Sequence, residues 1–91
     1  MKDCIHLQIV DLHDTKLSDA GLIPIKDCKE LNYLDLGDTQ VSDAGLADIA
    51  ACTTLIFLNL KNTKVTESGV KKVAAALPAC KIEWDGDTIE P

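Results

Sequence analysis

The sequence predicts an α/β solenoid built from three strand–helix repeats, and two observations support this prediction. First, one frame occurs three times, at residues 7–22, 31–46 and 55–70, and the copies start at a constant interval, at Leu7, Leu31 and Leu55. Second, the apolar spacing within each copy changes from the two-residue period of a strand to the helical period of about 3.6. A period of about 20 to 29 residues with an L-x-x-L-x-L frame is typical of stacked repeats that share one core.

Each repeat begins with a short strand, in which apolar residues alternate with polar ones. The strands are Val10-Asp11-Leu12, Leu34-Asp35-Leu36 and Leu58-Asn59-Leu60. Because side chains alternate between the two faces of a strand, we expect the leucines and Val10 to point inward and the middle residue outward. A threonine follows each strand, at Thr15, Thr39 and Thr63. We expect its hydroxyl to bond backbone groups of the neighbouring repeat.

A helix is predicted after each strand. The hydroxyl residues Ser18, Ser42 and Thr66 are the expected N-caps, and an acidic residue that favours the helix dipole follows each of them. Glycines at 21, 45 and 69 are expected to let each helix start approach the strand layer. Apolar residues three and four apart then form an inward stripe. Pro24 lies too deep for a first-turn proline, so we expect helix one to be short, distorted or partly 3₁₀.

The two ends of the chain differ from the repeats. Residues 77–84 form a strand-like run that stops at Asp85-Gly86-Asp87, and Trp84 is expected to cover the last repeat as part of a C-terminal cap. No polar cap precedes the first repeat. We therefore expect either a missing upstream part or a second chain on that edge. The predicted organisation is a single domain, 1–91, with repeats at about 7–30, 31–54 and 55–80 and a cap at 81–91.

Composition narrows the class of function. The net charge is −6, and all nine basic residues are lysines. A nucleic-acid-binding surface is usually basic and rich in arginine, so DNA or RNA is not an expected partner. The acidic balance favours basic or neutral protein partners. No apolar run is long enough to span a membrane, and the N-terminus does not resemble a signal peptide.

The four cysteines follow the repeat. Cys4, Cys28 and Cys52 are spaced evenly, one repeat apart, and Cys80 comes after a slightly longer interval. Such a ladder does not gather thiols into a zinc tetrahedron, and the favoured interpretation is that they are small buried apolar residues. Disulfides between neighbouring repeats and thiol chemistry are the alternatives. Four cysteines without a signal peptide predict a reducing, cytoplasmic setting.

The frame L-x-x-L-x-L-x-x-T-x-[VL]-[ST]-[DE]-x-G-[LV], closing with C-x-x-L, resembles the cysteine-containing leucine-rich repeats. It is most similar to their 24-residue bacterial variety, in which arrays end in an L-P-x-C-K-I segment such as residues 77–82. The threonine column departs from this pattern, because the cysteine-containing class usually has cysteine there. The resemblance implies a right-handed solenoid with a parallel concave sheet that binds proteins, and it implies no catalytic residue.

On that concave sheet the outward side chains form columns across the repeats. The predicted partner-binding residues are Ile9, Tyr33 and Phe57 in an apolar column, Asp11, Asp35 and Asn59 in a polar column, and His13 and Lys61 with Gly37 between them. Asp14, Asp38 and Asn62 line the adjoining rim. An outward apolar column beside an acidic one resembles the anchor and rim of a protein interface. Cross-strand packing that stabilises a narrow sheet is the alternative.

Other chemistries are less favoured. His13 is near Asp11, Asp14 and Ser18 in sequence, but a short solenoid offers no deep pocket for catalysis. The Asp11, Asp14, Asp35 and Asp38 group lacks the spacing of a Ca²⁺ loop, so no metal or other cofactor is expected. The sequence therefore predicts a non-enzymatic module that binds a protein on its concave face. The alternative is a structural part of a longer array, or a unit that self-associates through its N-terminal edge.

Overall fold

The computed structural model describes residues 8–86 and 88–90, which form one five-stranded sheet with helices along one side. The strands are β1 (Ile9–Asp11), β2 (Tyr33–Asp35), β3 (Phe57–Asn59), β4 (Lys81–Glu83) and β5 (Thr88–Ile89). The helices are α1 (Asp19–Leu22), a 3₁₀ helix (Ile23–Asp27), α2 (Asp43–Ile49) and α3 (Glu67–Ala76). The predicted α/β solenoid of three strand–helix repeats is confirmed.

The sheet follows chain order, and the repeats are in register. Strands β1 to β4 are parallel neighbours, so Ile9 pairs with Tyr33, Tyr33 with Phe57, and Phe57 with Lys81. Each strand therefore presents equivalent residues of successive repeats side by side. The register continues one strand beyond the three repeats, into the segment predicted as a cap.

The core lies between the strand layer and the helix layer. Leu34 and Leu58 are fully buried at the centres of β2 and β3. Leu46 and Ile49 of α2 pack from the other side, as do Val70 and Val73 of α3. The apolar side of the strands, set by the two-residue period, thus meets the apolar side of the helices, set by the helical period. Together they form one continuous core, as the pattern predicts.

The first helix is irregular, as the position of Pro24 predicts. The α-helical part has only four residues, and the chain continues as a five-residue 3₁₀ helix. Proline lacks the N–H that a regular helix needs, and a 3₁₀ segment tolerates it near its start. The proline stands within the first two residues of the 3₁₀ helix. This prediction is confirmed.

The threonine column acts within its own repeat, which corrects the sequence-based expectation. The hydroxyls of Thr15, Thr39 and Thr63 donate to carbonyl oxygens three residues earlier, at 2.7–2.8 Å. A threonine hydroxyl reaches a carbonyl of its own turn more readily than one of the next repeat. These residues therefore close the turn after each strand.

The helix starts also differ from the expectation, because aspartates of the preceding repeat bond them. Thr66 caps its own helix by accepting a hydrogen bond from the Gly69 N–H at 3.3 Å, whereas Ser18 and Ser42 make no side-chain cap. Instead Asp19 accepts hydrogen bonds from the N–H and hydroxyl of Ser42. Asp43 accepts the equivalent pair from Thr66. Each aspartate thus connects its helix to the next one, in addition to favouring its own helix dipole.

Two of the three repeat glycines make room for these carboxylates and not, as expected, for the strand layer. A Cβ at Gly45 would lie 2.5 Å from Oδ1 of Asp19, and one at Gly69 would overlap the carboxylate of Asp43. The Gly45 N–H also donates to Asp19 at 3.1 Å. At Gly21 the obstacle is the end of the Leu17 side chain.

The C-terminal cap consists of more than a turn. Residues 88–89 form β5, which pairs antiparallel with β4 and covers its outer edge. Trp84 and Ile89 pack against the core, and the Trp84 ring lies over Gly86. An edge strand that is covered in this way offers few free backbone groups for further strand pairing.

The described cysteines, Cys28, Cys52 and Cys80, are all buried, as predicted. Burial raises the pKa of the Cys80 thiol to about 11, and burial likewise raises the pKa of Cys52. Cys52 and Cys80 are free thiols. Cys28 is disulfide-bonded, which is the alternative that the sequence left open for these cysteines.

Two further expectations concern the membrane and the first edge. No helix among the described residues is long and apolar enough to cross a membrane. The expectation of an uncapped N-terminal edge depends on residues 1–7, which lie outside the described residues.

Candidate protein-interaction face

The outward side chains of β1 to β4, together with the turn residues that follow these strands, form one surface, here called the strand face. Its apolar column consists of Ile9, Tyr33 and Phe57, which the parallel register places next to one another. Ile9 is 68% exposed and Tyr33 36% exposed, and Phe57 is partly buried. The column is extended by Lys81, which pairs with Phe57.

The two aromatic rings of this column are stacked on each other. Their centroids are 4.7 Å apart, and the ring planes differ by 19°. This contact is the cross-strand packing that the sequence left as an alternative, but it does not bury Tyr33. The pair therefore forms an aromatic surface in which Tyr33 is exposed and Phe57 partly buried, and a rigid aromatic surface loses little conformational entropy when it binds.

The polar column lies beside the apolar one and is fixed by hydrogen bonds. Oδ1 of Asp35 accepts hydrogen bonds from the Gly37 N–H and from Nδ2 of Asn59, both at 3.0 Å. Oδ1 of Asn59 accepts one from the Lys61 N–H, also at 3.0 Å. Because the donors belong to the same and the following repeat, Asp35 and Asn59 hold defined positions in the face.

His13, which belongs to the third column, contacts the aspartates of the polar column. Nδ1 of His13 is hydrogen-bonded to Oδ1 of Asp11 and lies 4.0 Å from Oδ2 of Asp35. The hydrogen bond to Asp11 raises the pKa of His13, and the charge of Asp11 adds to this effect. The hydrogen bonds from the His13 ring and N–H lower the pKa of Asp11. The sequence alone identifies these residues as neighbours, but not their pairing.

The rim residues have a backbone role. Asp14, Asp38 and Asn62 have φ values of 54°, 58° and 57°, in the left-handed region that Asp and Asn tolerate better than most residues. The Asp14 and Asp38 N–H groups each donate to a carbonyl oxygen of the next repeat at 2.8 Å. The equivalent donor at Asn62 bonds the carboxylate of Asp85. Conformation alone therefore accounts for Asp or Asn at these positions.

The fourth strand adds residues that the sequence analysis assigned only to the cap. Lys81 and Glu83 continue the apolar and polar columns. Glu83 contacts Lys61 at 3.7 Å and Lys81 at 3.9 Å, and Lys81 also contacts Glu90 at 3.7 Å. Lys81 follows Phe57 at the same interval at which Phe57 follows Tyr33, and this spacing is the signal that could have placed β4 on the face.

Two other features are a group of possible metal ligands and a groove on the helix side. The ligand-type atoms of Asp11, His13 and Asp35 lie within 4.8 Å of one another, but Asp11 and His13 are exposed and already bonded to each other, and only Asp35 is partly buried. Asp14 and Asp38 are not part of this group. On the helix side, a groove of about 240 Å³ lies between α2 and α3. This volume is below the range of about 300–1,000 Å³ that is usual for small-molecule pockets.

The pairing of His13 with Asp11 gives a testable titration. We expect the Asp11→Asn variant to lower the pKa of His13 towards its usual value of about 6.5, because the hydrogen bond to a charged acceptor is removed. NMR titration of the imidazole signals measures this change, and Asp27→Asn, far from the ring in sequence, is the control. An unchanged titration in Asp11→Asn would contradict the pairing.

The same pairing links stability to pH. The folded-state pKa of His13 is raised and that of Asp11 is lowered, so the pair stabilises the fold at mildly acidic pH, where both groups are charged. This contribution is lost as the pH rises through the folded-state pKa of His13.

A comparison with known proteins agrees with this geometry. A family model described as Leucine Rich repeat matches residues 3–26, 27–50 and 51–74 in succession. No curated protein matches the chain. Leucine-rich repeats generally mediate protein–protein interaction and are typically non-enzymatic. The matches cover most of the chain with the same 24-residue period, and the chain therefore belongs to the leucine-rich-repeat family.

Proposed function

We propose that this chain is a non-enzymatic interaction module, and that it binds a protein partner on the strand face. The observation that carries the proposal is the stacked aromatic pair of the exposed Tyr33 and the partly buried Phe57, next to the exposed Ile9. Aromatic side chains are enriched among the residues that dominate binding energy at interfaces. The neighbouring polar column supplies the polar groups that surround an apolar anchor at an interface.

The charge of the face defines the partner further. Asp11 and Asp35 lie beside the apolar column, and Asp14 and Asp38 lie at its rim. The partner is therefore expected to be basic where it meets the carboxylates and apolar where it meets the aromatic pair. Electrostatic attraction of this kind speeds association and weakens as salt is added.

We expect the Tyr33→Glu, Phe57→Glu double variant to lose the partner, because each glutamate puts a charge into the contact that should be dry. The measurement is an affinity capture from lysate of the source cell, with bound proteins identified by mass spectrometry. Ile23→Glu is the matched control, since Ile23 is 52% exposed but lies in the 3₁₀ helix and not on the strand face. Circular dichroism confirms that each variant is folded.

The outcomes separate binding from a purely structural role. Proteins captured by the wild type and by Ile23→Glu, but not by the double variant, would support the strand face as the binding surface. Equal capture by all three would contradict the proposal. If only the chain itself were recovered, the structural role in a longer or self-associated array would replace it.

A further inference from the structure

The acidic and basic groups of the strand face are distributed unevenly along the solenoid. In β3, β4 and the segment that follows, the lysines already have carboxylate partners: Glu83 contacts both Lys61 and Lys81, and Glu90 contacts Lys81. That half of the face is therefore close to neutral. Few charged groups in that half are left to pair with charges of the partner.

The half formed by β1 and β2 has a different balance. Asp11 and Asp35 are register partners on neighbouring strands, and the basic side chain that contacts them among the described residues is His13. The side chain of Asp11 is 51% exposed, and that of Asp35 is 15% exposed. Oδ1 of Asp35 is engaged by Gly37 and Asn59, which leaves Oδ2 directed towards Asp11 and His13. Two carboxylates thus converge with one weak base between them.

An apolar edge adjoins these carboxylates. Ile9 lies two residues before Asp11, and Tyr33 two residues before Asp35, so each pair is on the same side of its strand. Neighbouring strands are about 4.8 Å apart, and residues two apart along a strand are separated by about 6.6 Å. The four side chains therefore mark the corners of a small rectangle that is apolar along one edge and acidic along the other.

We infer that this rectangle, Ile9, Tyr33, Asp11 and Asp35, is a subsite for an arginine side chain of the partner. Arginine matches both edges: its stem packs on Ile9 and Tyr33, and its planar guanidinium presents several N–H donors to the two carboxylates. Hydrogen bonds between a guanidinium and carboxylates are among the stronger ones in proteins. Lysine offers a compact, strongly hydrated charge and fits the two carboxylates less well. This assignment rests on the proposed function and fixes the orientation in which the partner binds.

The test uses a defined probe, the peptide acetyl-Leu-Arg-Leu-amide, titrated into the ¹⁵N-labelled chain. EDTA in the buffer removes divalent cations that could bind the carboxylates. Low salt, about 20 mM, limits screening, and an alkaline buffer, about pH 8.5, lowers the protonated fraction of the His13 imidazole that competes for the carboxylates. We expect saturable shifts of the amides in β1 and β2. The same peptide with citrulline, which has the shape of arginine without its charge, should bind about tenfold or more weakly, because its hydrogen bonds to the two carboxylates are no longer charge-assisted.

Variants of the chain complete the test. Asp11→Asn with Asp35→Asn should reduce the association constant for the arginine peptide about tenfold or more, whereas Asp27→Asn, which removes one charge away from the face, should leave it unchanged. Asparagine can still accept the turn hydrogen bonds, and Asp11→Asn alone provides a second test if the double variant is unfolded. Equal binding of the citrulline peptide, no effect of Asp11→Asn, or shifts outside β1 and β2 would each overturn the assignment.

This result can be distinguished from failure of the proposed function. If the captured partner is lost in the Tyr33→Glu, Phe57→Glu variant but retained in Asp11→Asn, Asp35→Asn, the arginine subsite is wrong and the strand face remains the binding surface. If the partner is retained in both variants, the proposed function itself is overturned.

Discussion

Gly69→Ala is expected to destabilise the fold by about 1–3 kcal/mol, because the new Cβ would displace a hydrogen-bonded carboxylate. The new Cβ would overlap the carboxylate of Asp43, which cannot move aside without giving up its hydrogen bonds to the N–H and hydroxyl of Thr66. At an ordinary helical position the same substitution stabilises by about 0.5–1 kcal/mol. The carboxylate of Asp43 thus turns a stabilising substitution into a destabilising one. Urea unfolding, with the same m-value for both proteins, measures the change in the free energy of unfolding.

A second substitution isolates the cause. Asp43→Ala should itself destabilise, by about 1–2 kcal/mol, because it removes both hydrogen bonds to Thr66. In that background Gly69→Ala should become neutral or stabilising, since no carboxylate remains to be displaced. Gly21→Ala is the matched control, because its new Cβ would meet only the flexible end of Leu17. If Gly69→Ala costs the same with and without Asp43, the steric explanation is wrong.

Leu58→Ala is expected to cost about 2–5 kcal/mol, a large part of the stability of a domain of this size. Leu58 is fully buried at the centre of β3, with Leu34 and Ile82 as its register partners on either side. Removal of its side chain leaves a cavity that the strands on both sides cannot fill. Thermal and urea unfolding give the change in the free energy of unfolding.

The neighbouring residue provides the control for this substitution. Phe57 precedes Leu58 in the same strand but points outward and is only partly buried. Phe57→Ala should therefore cost less than Leu58→Ala, although it removes a larger side chain. Equal costs would mean that the stability depends on the strand face as much as on the core between sheet and helices.

The sequence predicts the features that repeat at a fixed period. The inward position of Leu58 and the outward position of Phe57 follow from alternation along a strand, and the neighbouring positions of Tyr33 and Phe57 follow from the constant interval between repeats. The irregular first helix follows from Pro24 alone. Each of these features follows from backbone geometry or from the repeat period, and the packing of one repeat on the next does not change it.

Features that depend on how one repeat meets the next are not predicted. Asp43 has a sufficient local explanation as a first-turn acid of its own helix, and nothing in its neighbourhood points to Thr66 in the following repeat. Strand β5 has two residues, too few to show alternation. At the candidate site, the order of the columns is predictable, but the bond between His13 and Asp11 depends on side-chain torsions that the spacing leaves free.

The bonds made by Asp19 and Asp43 give the array a direction. The middle repeat offers the carboxylate of Asp43 to the repeat that follows and receives that of Asp19 from the repeat before it, so its two sides carry complementary halves of the same joint. A whole repeat unit duplicated between the first and third repeats would bring both halves of the joint with it. Such an array can lengthen by internal duplication without a change at either end, and a copy inserted out of frame would find no partner on either side.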